Sequence, residues 1–474
     1  MRDPDLAFVI PTYRLRDVGE TIELYDDNFW RNGHAVPLMV FDDSNLGLHE
    51  KYFAQLEATR THNELVYVGP REKEEFIRFL AARLRDRKLE LIVRNLFRPS
   101  YGGNRNFTLI YTLGKLMVSA DDDMRPHALV EDSPESLGDG EVCRGKLVRV
   151  GAGGYTVRTY DILASFRDVL GKPAGAAPAN YEHGEYLVDT AMDLETNVST
   201  GLARENALRL EPGRVSKAAV VKVAQTYRSG TNDIDALDYL DLFLADETQT
   251  RPEDLNDAYV LVNFRPVVTN QNWRIDWGVA GYDNALGLPP FFPTRLRFED
   301  FIYRLWVRQK GVAAAHVDSA QTHTKNNYMR NPPAAEIFNE EICTLLKRKI
   351  KETVTKADEL TVRFDYEGEV TAADADEILT KVGAVHGRAV RAADAAPAGE
   401  RKDALRLFAA NLERAFYGFE PDFFQQNVAR LVDDVVSLIK ASVELWPTLV
   451  EICYFQQARR ELPRVRVRNK PKGS

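Results

Sequence analysis

Cysteine is scarce: the 474 residues hold three, Cys143, Cys343 and Cys453, far apart and without a Cys-x-x-Cys. That argues against a disulfide framework or a thiolate zinc site and suits a reducing cytosol. Long apolar runs are missing too. The longest reach about five residues, as at Leu6–Ile10, against the roughly 20 that a membrane-spanning helix needs. The opening MRDPDLAFVIP has no charged-then-apolar leader before the first strand-like run, so a cytoplasmic protein is expected. Basic charge is in deficit. Against 71 Asp and Glu stand 62 Lys and Arg, a net of −9, which weighs against nucleic acid as a partner. The balance is uneven: residues 459–474 carry a net +6, leaving −15 on residues 1–458. Such a tail is read as a solvated end, or as a peripheral contact with an anionic membrane surface. No internal repeat is visible.

What is present is ordinary globular material, 44% hydrophobic and 28% charged. At about 150 residues per domain the length suits roughly three domains, or one large domain with insertions. Residues 1–126 alternate strand-like and helix-like segments. Strands are expected at Leu6–Ile10, Pro37–Phe41, Leu65–Val68, Leu89–Val93 and Leu116–Ala120. Helical spacing marks Val18 to Phe29, Tyr52 to Leu56 and Phe76 to Leu84. A further helix opens at Gly102-Gly103 and ends at Gly114, placed as a C-cap glycine. This alternation predicts an α/β fold, a mixed and mainly parallel sheet between layers of helices. Residues 127–258 break the pattern and read as an insertion on the acceptor side. Within it, Cys143–Val150 and Tyr155–Thr159 flank Gly151–Gly154 as a hairpin, Gly171–Ala179 is a loop, and Ala218–Ala224 and Ala236–Leu244 look helical. Residues 259–330 resume with strands at Tyr259–Phe264 and Val312–Val317. Residues 331–474 are mainly helical, with stripes such as Leu405, Phe408 and Leu412 that read as core or as a homo-oligomer interface.

In parallel sheets ligands bind beyond the C-terminal strand ends. Three polar clusters fall there: Pro11-Thr12-Tyr13, Asp42-Asp43 and Asp121-Asp122-Asp123. Three adjacent carboxylates repel one another, so something must offset their charge. A divalent cation is one answer, and hard oxygen donors suit Mg²⁺ or Mn²⁺. A solvated acidic turn or helix cap is the other. Arg105 near a helix N-terminus suits a phosphate, or pairs with a surface carboxylate. Glu299-Asp300 begins a helix, where carboxylates also favour the dipole. His323 lies in a polar loop and His316 in an apolar strand.

The ordered set resembles a GT-A glycosyltransferase, most closely the inverting family-two group. It comprises a strand ending in Pro-Thr-Tyr, a second ending in Asp-Asp-Ser, an Arg-Asn helix before a glycine, and the Asp121–Asp123 carboxylates. A Glu-Asp pair four residues before Arg304-Leu305 completes it. The likeness spans residues 5–126 and 260–325. It implies a GT-A type fold and transfer of a sugar from a nucleotide-diphosphate sugar, UDP before GDP, to an acceptor hydroxyl. Pro11, Thr12, Tyr13, Asp42, Asp43, Arg105, Asp121 and Asp122 would bind the donor. Asp123, Asp121 and His323 would hold Mn²⁺ or Mg²⁺. Asp300 would be the general base, with Glu299 orienting the acceptor or sharing that role. Trp273, Trp277 and Tyr282 precede that pair and could stack on an acceptor sugar. The acceptor itself, whether glycan, lipid-linked, protein or small molecule, is left open, because Asn270–Asn284 replaces the usual small-residue loop. A retaining enzyme, a sugar nucleotidyltransferase and an inactive carbohydrate-binding scaffold are the competing readings.

Overall fold

The computed structural model describes residues 5–131, 161–173, 218–227, 278–293, 312–320, 331–352, 362–366, 369–419, 424–458 and 462–468. Short strands at 146–149, 155–159, 190–191, 209–210, 259–262, 267–269 and 322–323, and isolated positions such as Glu299 and Trp306, complete it.

Nine strands form the central sheet. In chain order they are β1 (Leu6–Thr12), β2 (Leu38–Asp42), β3 (Leu65–Val68), β4 (Lys115–Ala120), β5 (Val221–Tyr227), β6 (Val267–Thr269), β7 (Val279–Asn284), β8 (Ala313–Ala320) and β9 (Val465–Arg466). Across the sheet they run β6-β8-β5-β7-β4-β1-β2-β3-β9. The block β3-β2-β1-β4 is parallel throughout. β7 lies antiparallel to both β4 and β5, β5 and β8 are parallel, and β6 and β9 close the edges antiparallel.

The helices of the first part are α1 (Leu15–Arg31), α2 (His49–Ala58), α3 (Pro70–Leu84), α4 (Arg87–Leu96), α5 (Tyr101–Tyr111) and α6 (Ile162–Val169). Alternation along the strands sorts side chains to the two faces. Leu6, Phe8 and Ile10 join Ile22, Tyr25 and Phe29 of α1 and Phe166 of α6. Val9 and Phe41 face the other way, onto Phe76 of α3, Val93 of α4 and Phe107 of α5. Burying one such aromatic contributes about 1.5–3 kcal/mol.

That second core continues into α7 (Ala334–Lys349), α8 (Ala372–Ala395), α9 (Glu400–Gly418) and α10 (Ala429–Ala458). Trp446 of α10 is buried and donates its indole N–H to the Leu288 carbonyl at 2.6 Å. The C-terminal helices therefore pack on the sheet domain. Among the described residues no helix is long and apolar enough to cross a membrane.

Five expectations change. Residues 89–93 are helical, within α4. Asp86 caps that helix by accepting from the Lys88 and Leu89 amides, and Leu89, Ile92, Val93 and Leu96 keep helical spacing on the core side. Residues 221–224 belong to strand β5, where Val221, Val223 and Ala224 are all buried because both sheet faces are covered. Ala224 is the small side chain of a central strand. The segment set apart as an insertion thus supplies a strand between β7 and β8. Lys146–Arg149 and Tyr155–Thr159 do not form a hairpin together: the first pairs with Tyr259–Val262 and the second with His127–Glu131. The basic tail is partly structural. β9 pairs with β3, Val467 is buried, and the Pro463 carbonyl accepts from the Tyr111 hydroxyl at 2.7 Å. Finally, residues 279–284 of the expected acceptor loop are β7.

Candidate functional site

The chain runs from β1 through β2 to β3 on one side, then returns to place β4 on the other side of β1. A ligand crevice is expected at such a switch, beyond the C-terminal strand ends. A cleft of about 400 Å³ lies there. Pro11, Thr12, Tyr13 and Arg14 line it from the end of β1 and Asp43 from the end of β2. Asp121 and Asp122 line it from the end of β4, and Ser100, Tyr101, Asn104 and Arg105 from the start of α5.

The α5 N-terminus is built for close approach. Ser100 caps it, accepting from the Gly103 amide at 3.0 Å. A Cβ on Gly102 would stand 2.0 Å from the Phe292 carbonyl oxygen, and one on Gly103 would stand 1.9 Å from that of Arg98. Only glycine lets the helix start here, with its positive end toward the cleft.

Every carboxylate of the cleft meets a cation. Arg105 donates to Asp121 at 2.9 Å. Arg14 spans the other two, with Nη2 on Asp122 and Nη1 2.5 Å from Asp123. Thr12 donates to Asp122 at 2.6 Å, and Thr21 donates to its backbone carbonyl. Lys73 of α3 donates to Asp43 at 2.6 Å and to the Asn104 side chain at 2.7 Å, while the Ser100 amide donates to Asp43 at 3.0 Å. The offset to carboxylate repulsion in this structure is thus arginine.

Burial and charge compete at each group. Burial pushes the Asp43 carboxyl up, and Lys73 pulls it only part of the way back. Burial likewise raises Asp122 against the pull of Arg14. For Arg14 burial disfavours the charge, but Asp122 and Asp123 outweigh it and the net shift is upward. Arg105 behaves alike, with burial overcome by Asp121, Tyr282 and Glu299.

The expected residues divide. Pro11, Thr12, Tyr13, Asp43, Arg105, Asp121 and Asp122 line one cleft, and Asp123 reaches it through Arg14. Asp42 sits below the floor, fully buried. Its oxygens accept from the Ser44 amide and hydroxyl and from Tyr67, so it holds the β2 turn rather than a ligand. Tyr282 is corrected as well. It is fully buried in β7 next to Arg105 and presents no face to an acceptor. Glu299 is half-buried beside Gly102 and within the field of Arg105. The backbone of His323 pairs with Met124, one residue from Asp123. Asp300, Trp273 and Trp277 lie outside the described residues.

Sequence reasoning missed Arg14, Lys73, Ser100, Tyr101 and Asn104. Two signals existed: a serine two residues before Gly-Gly, and a lysine at helical spacing with Phe76, Ile77 and Leu80 on the apolar face of α3. Among the described residues one trio of potential metal ligands has its ligand atoms all within 4.8 Å, Asp26, Asp27 and His62. It lies at the opposite ends of the strands. There Asp26 ties down the residues before β3, accepting from the His62 amide at 2.6 Å and the Asn63 amide at 2.9 Å.

No protein-family model, curated protein or solved structure matches the chain.

Proposed function

We propose that the chain is a glycosyltransferase that takes a nucleotide-diphosphate sugar in this cleft and passes the sugar to an acceptor hydroxyl. The observation that carries the reading is the convergence of four elements on one crevice. The ends of β1, β2 and β4 bring Tyr13, Asp43 and Asp121, and α5 brings its positive N-terminus with Tyr101 and Arg105. Tyr13 and Tyr101 are 52% and 49% exposed, flat faces for a base or sugar at the mouth. The α5 N-terminus and Arg105 suit a diphosphate.

The charge sum supports a divalent cation as part of the donor complex. Asp43, Asp121, Asp122 and Asp123 outnumber Lys73, Arg14 and Arg105 by one, and Glu299 adds another negative charge. A diphosphate entering such a cleft needs added positive charge. Asp121 and Asp123 are hard oxygen donors that fit Mg²⁺ or Mn²⁺, with His323 a third candidate. When bound, the ion neutralises charge developing on the leaving diphosphate. The chain's own groups do the rest in this reading. Arg105 orients the phosphates, Glu299 positions the acceptor, and Asp300 takes the acceptor hydroxyl proton.

The test is to incubate the protein with Mn²⁺ and a panel of UDP- and GDP-sugars and follow nucleotide release. Release from one donor class supports the reading, and silence from all of them removes it. Asp123→Ala should abolish metal-dependent nucleotide binding, whereas Asp300→Asn should spare binding and stop transfer.

A further inference from the structure

We infer that Arg14 is the resident counter-cation of Asp122 and Asp123, and that Asp123 opens to a divalent cation only when the Arg14 guanidinium leaves. The inference rests on the donor-site reading above and adds a control to it.

The geometry is that of an occupied seat. Asp122 and Asp123 are each 1% exposed, and the guanidinium lies across both. Arg14 itself is 19% exposed and lines the cleft. It is therefore the one of the three side chains with room to move. Its backbone is extended, at φ −113° and ψ 104°, where β1 ends and α1 begins. From there the side chain crosses to a strand end more than 100 residues away. Its guanidinium carbon stands 5.2 Å from the ring centre of Tyr13, itself 52% exposed and part of the cleft lining.

The exchange is electrostatically sound. A buried carboxylate pair cannot be left without a cation. A doubly charged ion replacing a singly charged guanidinium leaves the carboxylate pair itself one unit less negative. The freed arginine remains within reach as a further donor for an incoming diphosphate. Metal and nucleotide should then assist each other, and reciprocally.

The test is Mn²⁺ binding without nucleotide, read from the electron paramagnetic resonance of the free ion. Wild type, Arg14→Met and Arg14→Lys are compared, each checked for folding by circular dichroism. Arg14→Met should bind Mn²⁺ more tightly than wild type by roughly tenfold or more. Arg14→Lys, which cannot bridge both carboxylates, should fall between and serves if Arg14→Met does not fold. The gain should vanish in Arg14→Met/Asp123→Asn, which separates it from binding at Asp26, Asp27 and His62. Equal or weaker binding by both Arg14 variants would overturn the inference. UDP and GDP binding, measured in parallel, keeps the two readings apart. Nucleotide binding without a Mn²⁺ gain refutes the role of Arg14 alone, and no binding of either ligand refutes the donor site as well.

Discussion

Replacing Lys73 by Met tests whether the cleft floor is held by a buried ion pair. The ammonium lies 2.6 Å from Asp43 and 2.7 Å from Asn104, so it joins β2, α3 and α5. Both charged side chains are less than 10% exposed, so solvent cannot take over when one partner goes. Breaking such a pair costs about 3–5 kcal/mol, because it leaves a buried carboxylate unpaired. The pH dependence follows from the sign of the shift. Burial already holds the Asp43 carboxyl above its ordinary range, and losing Lys73 raises it further. A carboxyl raised in the folded chain penalises folding while ionised, and the penalty is relieved as pH falls through the folded pKa. The gap between Lys73→Met and wild type should therefore narrow from about pH 7.5 to about pH 5. Adding Asp43→Asn should recover at least half of the neutral-pH loss, since it removes the stranded charge and keeps an acceptor for the Ser100 amide. Urea unfolding followed by circular dichroism reads all three. A loss below about 1 kcal/mol, within reach of one neutral hydrogen bond, would refute the buried pair. So would a gap that does not change with pH.

Other substitutions probe the surroundings. Gly102→Ala places a Cβ against the Phe292 carbonyl. It should destabilise by about 1–3 kcal/mol or displace α5, read as a lower melting temperature with weaker nucleotide binding. Val467→Asp puts a carboxylate into the core beside β3 and should lower the melting temperature markedly. Arg466→Ala, whose partner Glu64 is exposed, should stay within about 0.5 kcal/mol of wild type. Thr371→Ala removes the side chain that caps α8 in a reciprocal box with Asp374. It should cost about 1 kcal/mol in a thermal melt.

Much of the cleft was legible because its residues follow apolar runs. Pro11-Thr12-Tyr13 and Asp121–Asp123 directly follow Leu6–Ile10 and Leu116–Ala120, and parallel strands carry their polar ends to one side. The two glycines of α5 announced a helix start, though not the reason for them, which lies in carbonyls of Arg98 and Phe292. What stayed hidden depends on distant partners. Nothing local says that Arg14 covers carboxylates 108 and 109 positions on. Tyr282 was misplaced because an aromatic carries the same signal in a core strand as on a sugar-facing loop. Short segments failed for the ordinary reason: Leu89–Val93 and Ala218–Ala224 are too brief for periodicity to separate strand from helix.

The donor site is tested most directly by calorimetric titration of UDP and GDP, with Mn²⁺, into wild type, Tyr101→Ala and Asp121→Asn. One nucleoside diphosphate should bind wild type at a single site, and each substitution should weaken it by roughly tenfold or more. A wild type that binds neither nucleotide, or that binds one with an affinity both substitutions leave unchanged, would contradict the assignment of this cleft.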